Sequence, residues 1–156
     1  AIFFVIILST PVFSLMSNLY YPLSISDSTV TPETIYPGDV VTIVANISND
    51  SSDFIATDIE VTLSYDPTKF LELSDVNKVI ENLRPGYSKS IVFQVLVKDS
   101  VSPGEYNLPI VLKYKNKWGY SISESKDNLL NVSNYASLDI EEIEEIIKIV
   151  SKCIKE

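Results

Sequence analysis

From residue 58 to residue 66 apolar and polar side chains alternate without a break, as Asp58-Ile59-Glu60-Val61-Thr62-Leu63-Ser64-Tyr65-Asp66. A period of two puts successive side chains on opposite faces of an extended backbone, so this segment predicts a strand with one wet face. Val41, Ile43, Ala45 and Ile47 repeat the pattern with Thr42 and Asn46 opposite them. So do Ile91, Phe93, Val95 and Val97, and then Tyr106, Leu108, Ile110, Leu112 and Tyr114. Leu23 to Val30, Val76 to Leu83, and the segments around Tyr120-Ile122 and Leu129-Val132 bring the expected total to about seven or eight strands. Turn chemistry separates them at Pro37-Gly38-Asp39, Asn49 to Asp53, Asp66-Pro67, Arg84-Pro85-Gly86 and Ser102-Pro103-Gly104. No helical pattern intervenes to cross over between parallel strands, so the sheets should be antiparallel and the class a two-sheet β-sandwich over residues 23–134. Ile43, Val61, Leu63, Phe93, Val95, Ile110 and Leu112 are its expected core.

The two ends of the chain depart from this period. Residues 1–22 carry no charge and open with Ala1-Ile2-Phe3-Phe4-Val5-Ile6-Ile7-Leu8 before Ser9, Thr10 and Pro11 interrupt. An apolar run this short, followed by a breaker and a small residue at Ser14, reads as the hydrophobic part of a signal peptide, with a retained membrane anchor as the rival. Without an initiator Met or basic residues ahead of it, the sequence is expected to begin inside that segment. Either reading exports the rest of the chain. After Asn134, Ile140, Ile143, Ile147, Val150 and Ile154 recur at spacings of three and four, which predicts an amphipathic α-helix over 135–156. Ser137 is its candidate N-cap, with glutamates in the first turns and lysines in the last. A sandwich encloses its own apolar faces, so the stripe is expected to serve self- or partner association, with docking on its own sandwich as the rival. Cys153, with no second Cys in the chain, is expected to be buried as a small hydrophobe.

Composition removes most enzyme chemistry. The chain has no His and one Cys, which excludes His-based acid–base catalysis, Ser-His-Asp and Cys-His triads and Cys/His zinc sites. A net charge of −9 would repel nucleic acid.

The order of turns carries a resemblance. Tyr36-Pro37-Gly38-Asp39 opens a strand, Asn82-Leu83-Arg84-Pro85-Gly86-Tyr87-Ser88 precedes a long one, and Pro103-Gly104-Glu105-Tyr106 precedes the next. Over residues 28 to 133 this resembles archaeal S-layer-type extracellular domains and the related CARDB-like cell-adhesion modules. The resemblance implies an immunoglobulin-like antiparallel β-sandwich of about seven strands, a scaffolding or adhesion role through protein partners at the cell surface, and no catalytic residue or cofactor. Val61 to Pro67 also resembles a strand of cohesins, which are sandwich modules that bind a helical partner.

The remaining candidates are side chains that could make contacts. Trp118 and Tyr120 flank the Lys115-Asn116-Lys117-Trp118-Gly119 turn, where exposed rings could stack on a sugar or anchor a protein. Because Tyr114 continues an inward series, these rings are expected instead to cap the core. Asn46, Asn49 and Asn131 begin Asn-x-Ser sequons and are candidate glycosylation sites, Asn46 on a polar face and Asn49 opening a loop. Asp50, Asp53, Asp58 and Asp66 could offer oxygens to calcium, but their spacing matches no EF-hand loop and a solvated acidic rim is expected. Asp58 and Glu60 lie on one outward strand face and are read as solvated, not as a glycosidase pair.

Overall fold

The structure is a computed structural model that describes residues 21–134. The N-terminal apolar segment and the Ile140-to-Ile154 stripe, with Cys153, lie outside the described residues. Ten strands follow in order: β1 (Leu23–Thr31), β2 (Val40–Asn49), β3 (Ala56–Leu63), β4 (Phe70–Glu72), β5 (Asn77–Leu83), β6 (Ser88–Val97), β7 (Gly104–Asn107), β8 (Ile110–Lys115), β9 (Ser121–Lys126) and β10 (Leu129–Val132). One four-stranded sheet has the order β1-β2-β6-β4, the other β5-β3-β8-β9, and β10 pairs with β7. All of these pairings are antiparallel. Among the described residues no helix is long and apolar enough to cross a membrane.

The alternating positions do what their period requires. Val41, Ile43 and Ala45 of β2 lie beside Val95, Phe93 and Ile91 of β6 on the inner side of the first sheet, with Ile47 and Val97 buried at the two ends, and Ile59, Val61, Leu63, Ile110 and Leu112 line the second. The seven residues expected in the core are at most 2% exposed. The turns work through proline and glycine. In Tyr36-Pro37-Gly38-Asp39 the Asp39 amide donates to the Tyr36 carbonyl at 3.1 Å, and Gly38 takes φ 90°, where a Cβ would be strained. Asp39 Oδ2 accepts the Tyr36 amide at 2.8 Å and closes the turn from the other side.

Two expectations are corrected. β4 was not legible, because Phe70–Glu72 is too short to show a period, and its Phe70 alone is buried. The single strand expected from Tyr106 to Tyr114 is two, β7 and β8, broken at Leu108-Pro109. Pro109 has no N–H to give to a ladder. The break costs no register: Asn107 pairs with Leu129 and Ile110 with Lys126, and both pairs of numbers add to 236. β7–β8 and β9–β10 are therefore one long hairpin, bent where the proline interrupts it. Asn128 holds the bend, its Nδ2 donating to the Leu108 carbonyl at 3.0 Å while the Leu108 amide donates to the Asn128 carbonyl at 2.9 Å.

The open edge between the sheets is closed by charge. In β1 the register shifts between Ile25 and Asp27. At this irregularity the Ile25 amide donates to Glu124 Oε1 at 3.3 Å and Lys126 Nζ donates to the Ile25 carbonyl at 3.5 Å. Charged side chains on an edge strand also discourage pairing with another chain.

Candidate functional site

At one end of the second sheet the β8–β9 connection, residues 116–120, raises two rings. The Asn116 Oδ1 accepts the amides of Trp118 at 3.1 Å and Tyr120 at 3.0 Å. The Asn116 backbone closes the loop, its amide donating to the Tyr120 carbonyl and its carbonyl accepting the Gly119 amide. Gly119 takes φ 80°, the conformation that lets so short a loop reverse. Asn116 is itself buried, so the tip is fixed from beneath. The expectation that the rings cap the core is overturned: Trp118 is 49% exposed and Tyr120 61%, and only Tyr114 turns inward. The period explains the difference, since Tyr114 still belongs to β8 while Trp118 and Tyr120 sit past its end, where alternation no longer dictates direction.

Lys117 fixes the tip laterally. Its Nζ lies 5.1 Å from the Trp118 ring centroid and 3.7 Å from Asp53 Oδ2 on the β2–β3 loop. A cation over a ring face and a surface ion pair are each weak, on the order of 1 kcal/mol or less. Together they restrict where the indole can turn.

Beside the tip, the outer face of β3, β8 and β9 forms an open cleft of about 580 Å³. Glu60, Lys113 and Ser123 form one row across the three strands, Glu60 opposite Lys113 and Lys113 opposite Ser123. Asp58, Lys115 and Ser121 line the same cleft one step nearer the tip. Asp58 has φ 51°, a left-handed conformation that Asp tolerates better than most residues. The cleft thus offers carboxylates, ammonium groups and hydroxyls on a rigid sheet, next to two exposed rings. Asp58 and Glu60 are exposed, in keeping with their reading as a solvated face.

The first sheet differs in kind. The outward positions of β2, β6 and β4, among them Val40, Thr42, Val44, Leu71, Val92, Gln94 and Leu96, carry no charge, while β1 at the edge has Asp27 beside Asn46 on the same side.

Each remaining candidate has a place. Asn46 lies on the outer face of β2, its Oδ1 accepting the Ser90 hydroxyl at 2.5 Å, and Asn131 is exposed on β10. Asn49 does not open a loop into solvent: it is buried, and its Nδ2 donates to the carbonyls of Phe54 and Leu83, both at 2.8 Å. Its Oδ1 accepts the Ser51 amide and hydroxyl at 3.1 and 2.7 Å. The nitrogen that would carry a glycan is thus spent on tying the β2–β3 loop to the end of β5, and the folded chain offers no modification site there. The four aspartates do not converge. Asp53 pairs with Lys117, and Asp50 Oδ2 accepts the Ser24 hydroxyl at 3.3 Å. Asp66 Oδ1 accepts the Thr68 hydroxyl and amide at 2.7 and 2.9 Å, bonds that hold its carboxyl below its usual range. Among the described residues no three acidic, Cys or His side chains are grouped to hold a metal. Asn116 is the residue that sequence reasoning passed over; the signal was an Asn opening a short turn before Gly119.

No family model matches the chain. The uncharacterized protein MJ1561 of Methanocaldococcus jannaschii is 29% identical over 99 residues, which are 60% of this chain and 18% of that protein. The chain therefore spans less than a fifth of that relative. Among solved structures, a cohesin module from a family 33 glycoside hydrolase of Clostridium perfringens is similar with a TM-score of 0.51 and 13% identity, covering 70% of this chain and 97% of that one. AvmM, which catalyzes macrocyclization in alchivemycin A biosynthesis, is similar with a TM-score of 0.53 and 8% identity, covering 71% and 89%. At these identities the likeness is one of fold, an all-β sandwich of the immunoglobulin-like and cohesin type.

Proposed function

We propose that this chain is a non-enzymatic contact module of a surface or secreted protein, and that it binds a protein partner through the β8–β9 tip. One observation carries the reading: Trp118 and Tyr120 are presented to solvent by a loop that Asn116 fixes from a buried position. Trp and Tyr are the side chains most enriched among residues that dominate binding energy, and a pre-ordered loop loses little entropy on binding. The turn order that resembles CARDB-like and S-layer-type modules supports the envelope setting, as does the apolar N-terminal segment. The sandwich fold by itself is neutral on catalysis, since AvmM shares it; the absence of His from the whole sequence favours the non-enzymatic reading.

A second reading, a carbohydrate-binding module, is favoured by the cleft, whose carboxylates, lysines and serines lie beside a stacking pair as sugar hydroxyls would require. One experiment separates the readings. The full chain and its Trp118→Ala/Tyr120→Ala variant are sedimented with envelopes of the source cells, untreated, protease-treated or periodate-treated. The module reading expects binding that the double substitution lowers at least tenfold. Loss after protease identifies a protein partner, and loss after periodate alone identifies a glycan. Equal binding by the double variant would remove the tip from the function.

A further inference from the structure

We propose that the outward face of β2, β6 and β4 is the seat of this chain's own residues 140–154. The face is unusual for a chain in which 21% of residues are charged, since none of its outward side chains is. Val40, Leu71, Leu73 and Val92 on it are each 45 to 49% exposed. Val40 pairs with Leu96 and Leu96 with Leu71, which makes an apolar row across three strands, and Val44 pairs with Val92 further along. From Val40 to Asn46, whose partner on β6 is Ser90, the uncharged outward side runs about 20 Å, and it is about 10 Å across the three strands, enough to seat one helix.

The route of the chain names the occupant. β10 ends at Val132, and the Ser133 amide donates to the Ile35 carbonyl at 2.8 Å, so the chain leaves the sandwich beside Ile35. Ile35 leads through the Tyr36-to-Asp39 turn directly into Val40, and the Gly38 amide donates to the carbonyl of Val97, next to Leu96. The exit thus lies at the end of the face where the row Val40, Leu96 and Leu71 begins. The residues from Asn134 to Ile140 reach about 20 Å, sufficient to bring Ile140 over that row. Beyond it, Ile140, Ile143, Ile147, Val150 and Ile154 supply an uncharged stripe about 21 Å long if helical.

Docking in cis covers both apolar surfaces at once. The stripe holds fewer than three heptads, so as a free coiled coil it associates weakly, whereas a short tether holds it near the face at a local concentration in the millimolar range. This seat is on the opposite sheet from the β8–β9 tip and stands independently of the function proposed for that tip.

The chain's one Cys provides the test. With Ile140 over the Val40 row and the segment laid along β6, Cys153 falls about 20 Å further on, level with the exposed Ser90, which pairs with Asn46. A Cys is introduced in the full chain by Ser90→Cys, or as a control by Val79→Cys on the exposed face of β5, and each variant is oxidised at low protein concentration. Docking in cis predicts a disulfide to Cys153 within the monomer, formed at least tenfold faster for Ser90→Cys than for Val79→Cys. A bond found only in dimers would assign the face to a second copy, and equal rates for the two variants would mean no preferred seat; either overturns the proposal. As a second readout, Leu71→Glu, at a half-exposed position, should lower hydrogen-exchange protection of residues 140–154 at least tenfold. Unchanged protection would contradict it.

Discussion

A buried asparagine and a buried tyrosine show what single side chains contribute here. Asn49 makes four hydrogen bonds from a position without solvent access. Asn49→Ala strands the buried Leu83 carbonyl and frees the β2–β3 loop, so it is expected to lower unfolding free energy by about 2 to 4 kcal/mol, read as a shift in denaturant midpoint. An unshifted midpoint would show that water replaces all four bonds. Burial pushes the Tyr114 phenol up to about 12 from an ordinary 10.0; its contact with the Leu23 backbone opposes the rise and Glu124 adds to it. The phenol donates to the Leu23 carbonyl and accepts the Leu23 amide, both at 3.4 Å. A phenol whose folded pKa is raised favours the native state fully below pH 10, and that contribution is lost as pH rises from about 10 towards 12. The loss is on the order of 2 kcal/mol, and Tyr114→Phe should remove this part of the alkaline destabilisation when stability is followed against pH.

At the scale of elements, what could be read ahead of the structure follows from periodicity. β2, β3, β6 and β8 were legible because each buries one face only, and a half-buried strand must alternate. β4 was illegible because three residues hold no period. The Tyr106-to-Tyr114 stretch was read as one strand because the pleat does run through it, Leu108, Ile110, Leu112 and Tyr114 all being buried. What the pattern could not convey is that Pro109 breaks the ladder without shifting it. The same logic explains the rings: alternation assigned Tyr114 correctly, and extending it past the end of β8 to Trp118 and Tyr120 failed because a five-residue loop obeys Asn116 and Gly119 instead. Asn49 was misplaced for the opposite reason. Asn-Asp-Ser reads as a loop, yet Asn49 is the last residue of β2, and its side chain bonds inward to the next turn.

For the whole molecule, the arrangement is a sandwich with two chemically distinct outer faces and one ringed end. The core is ordinary: Phe93→Ala, which empties the largest fully buried side chain, is expected to cost about 3 to 5 kcal/mol in equilibrium unfolding, and a cost under 1 kcal/mol would contradict the packing. The claim on which the functional account turns is that the β8–β9 tip is where a partner lands. Trp118 is the chain's one Trp, so 5-hydroxytryptophan incorporated in its place and excited selectively reports on that tip alone, even among envelope proteins. Acrylamide quenching of the full chain, measured before and after saturation with envelope fragments of the source cells, is the most direct test. The account predicts efficient quenching of the free chain and a several-fold fall in the quenching constant once the fragments are bound. Binding that leaves the quenching constant unchanged would place the contact elsewhere on the molecule and contradict it.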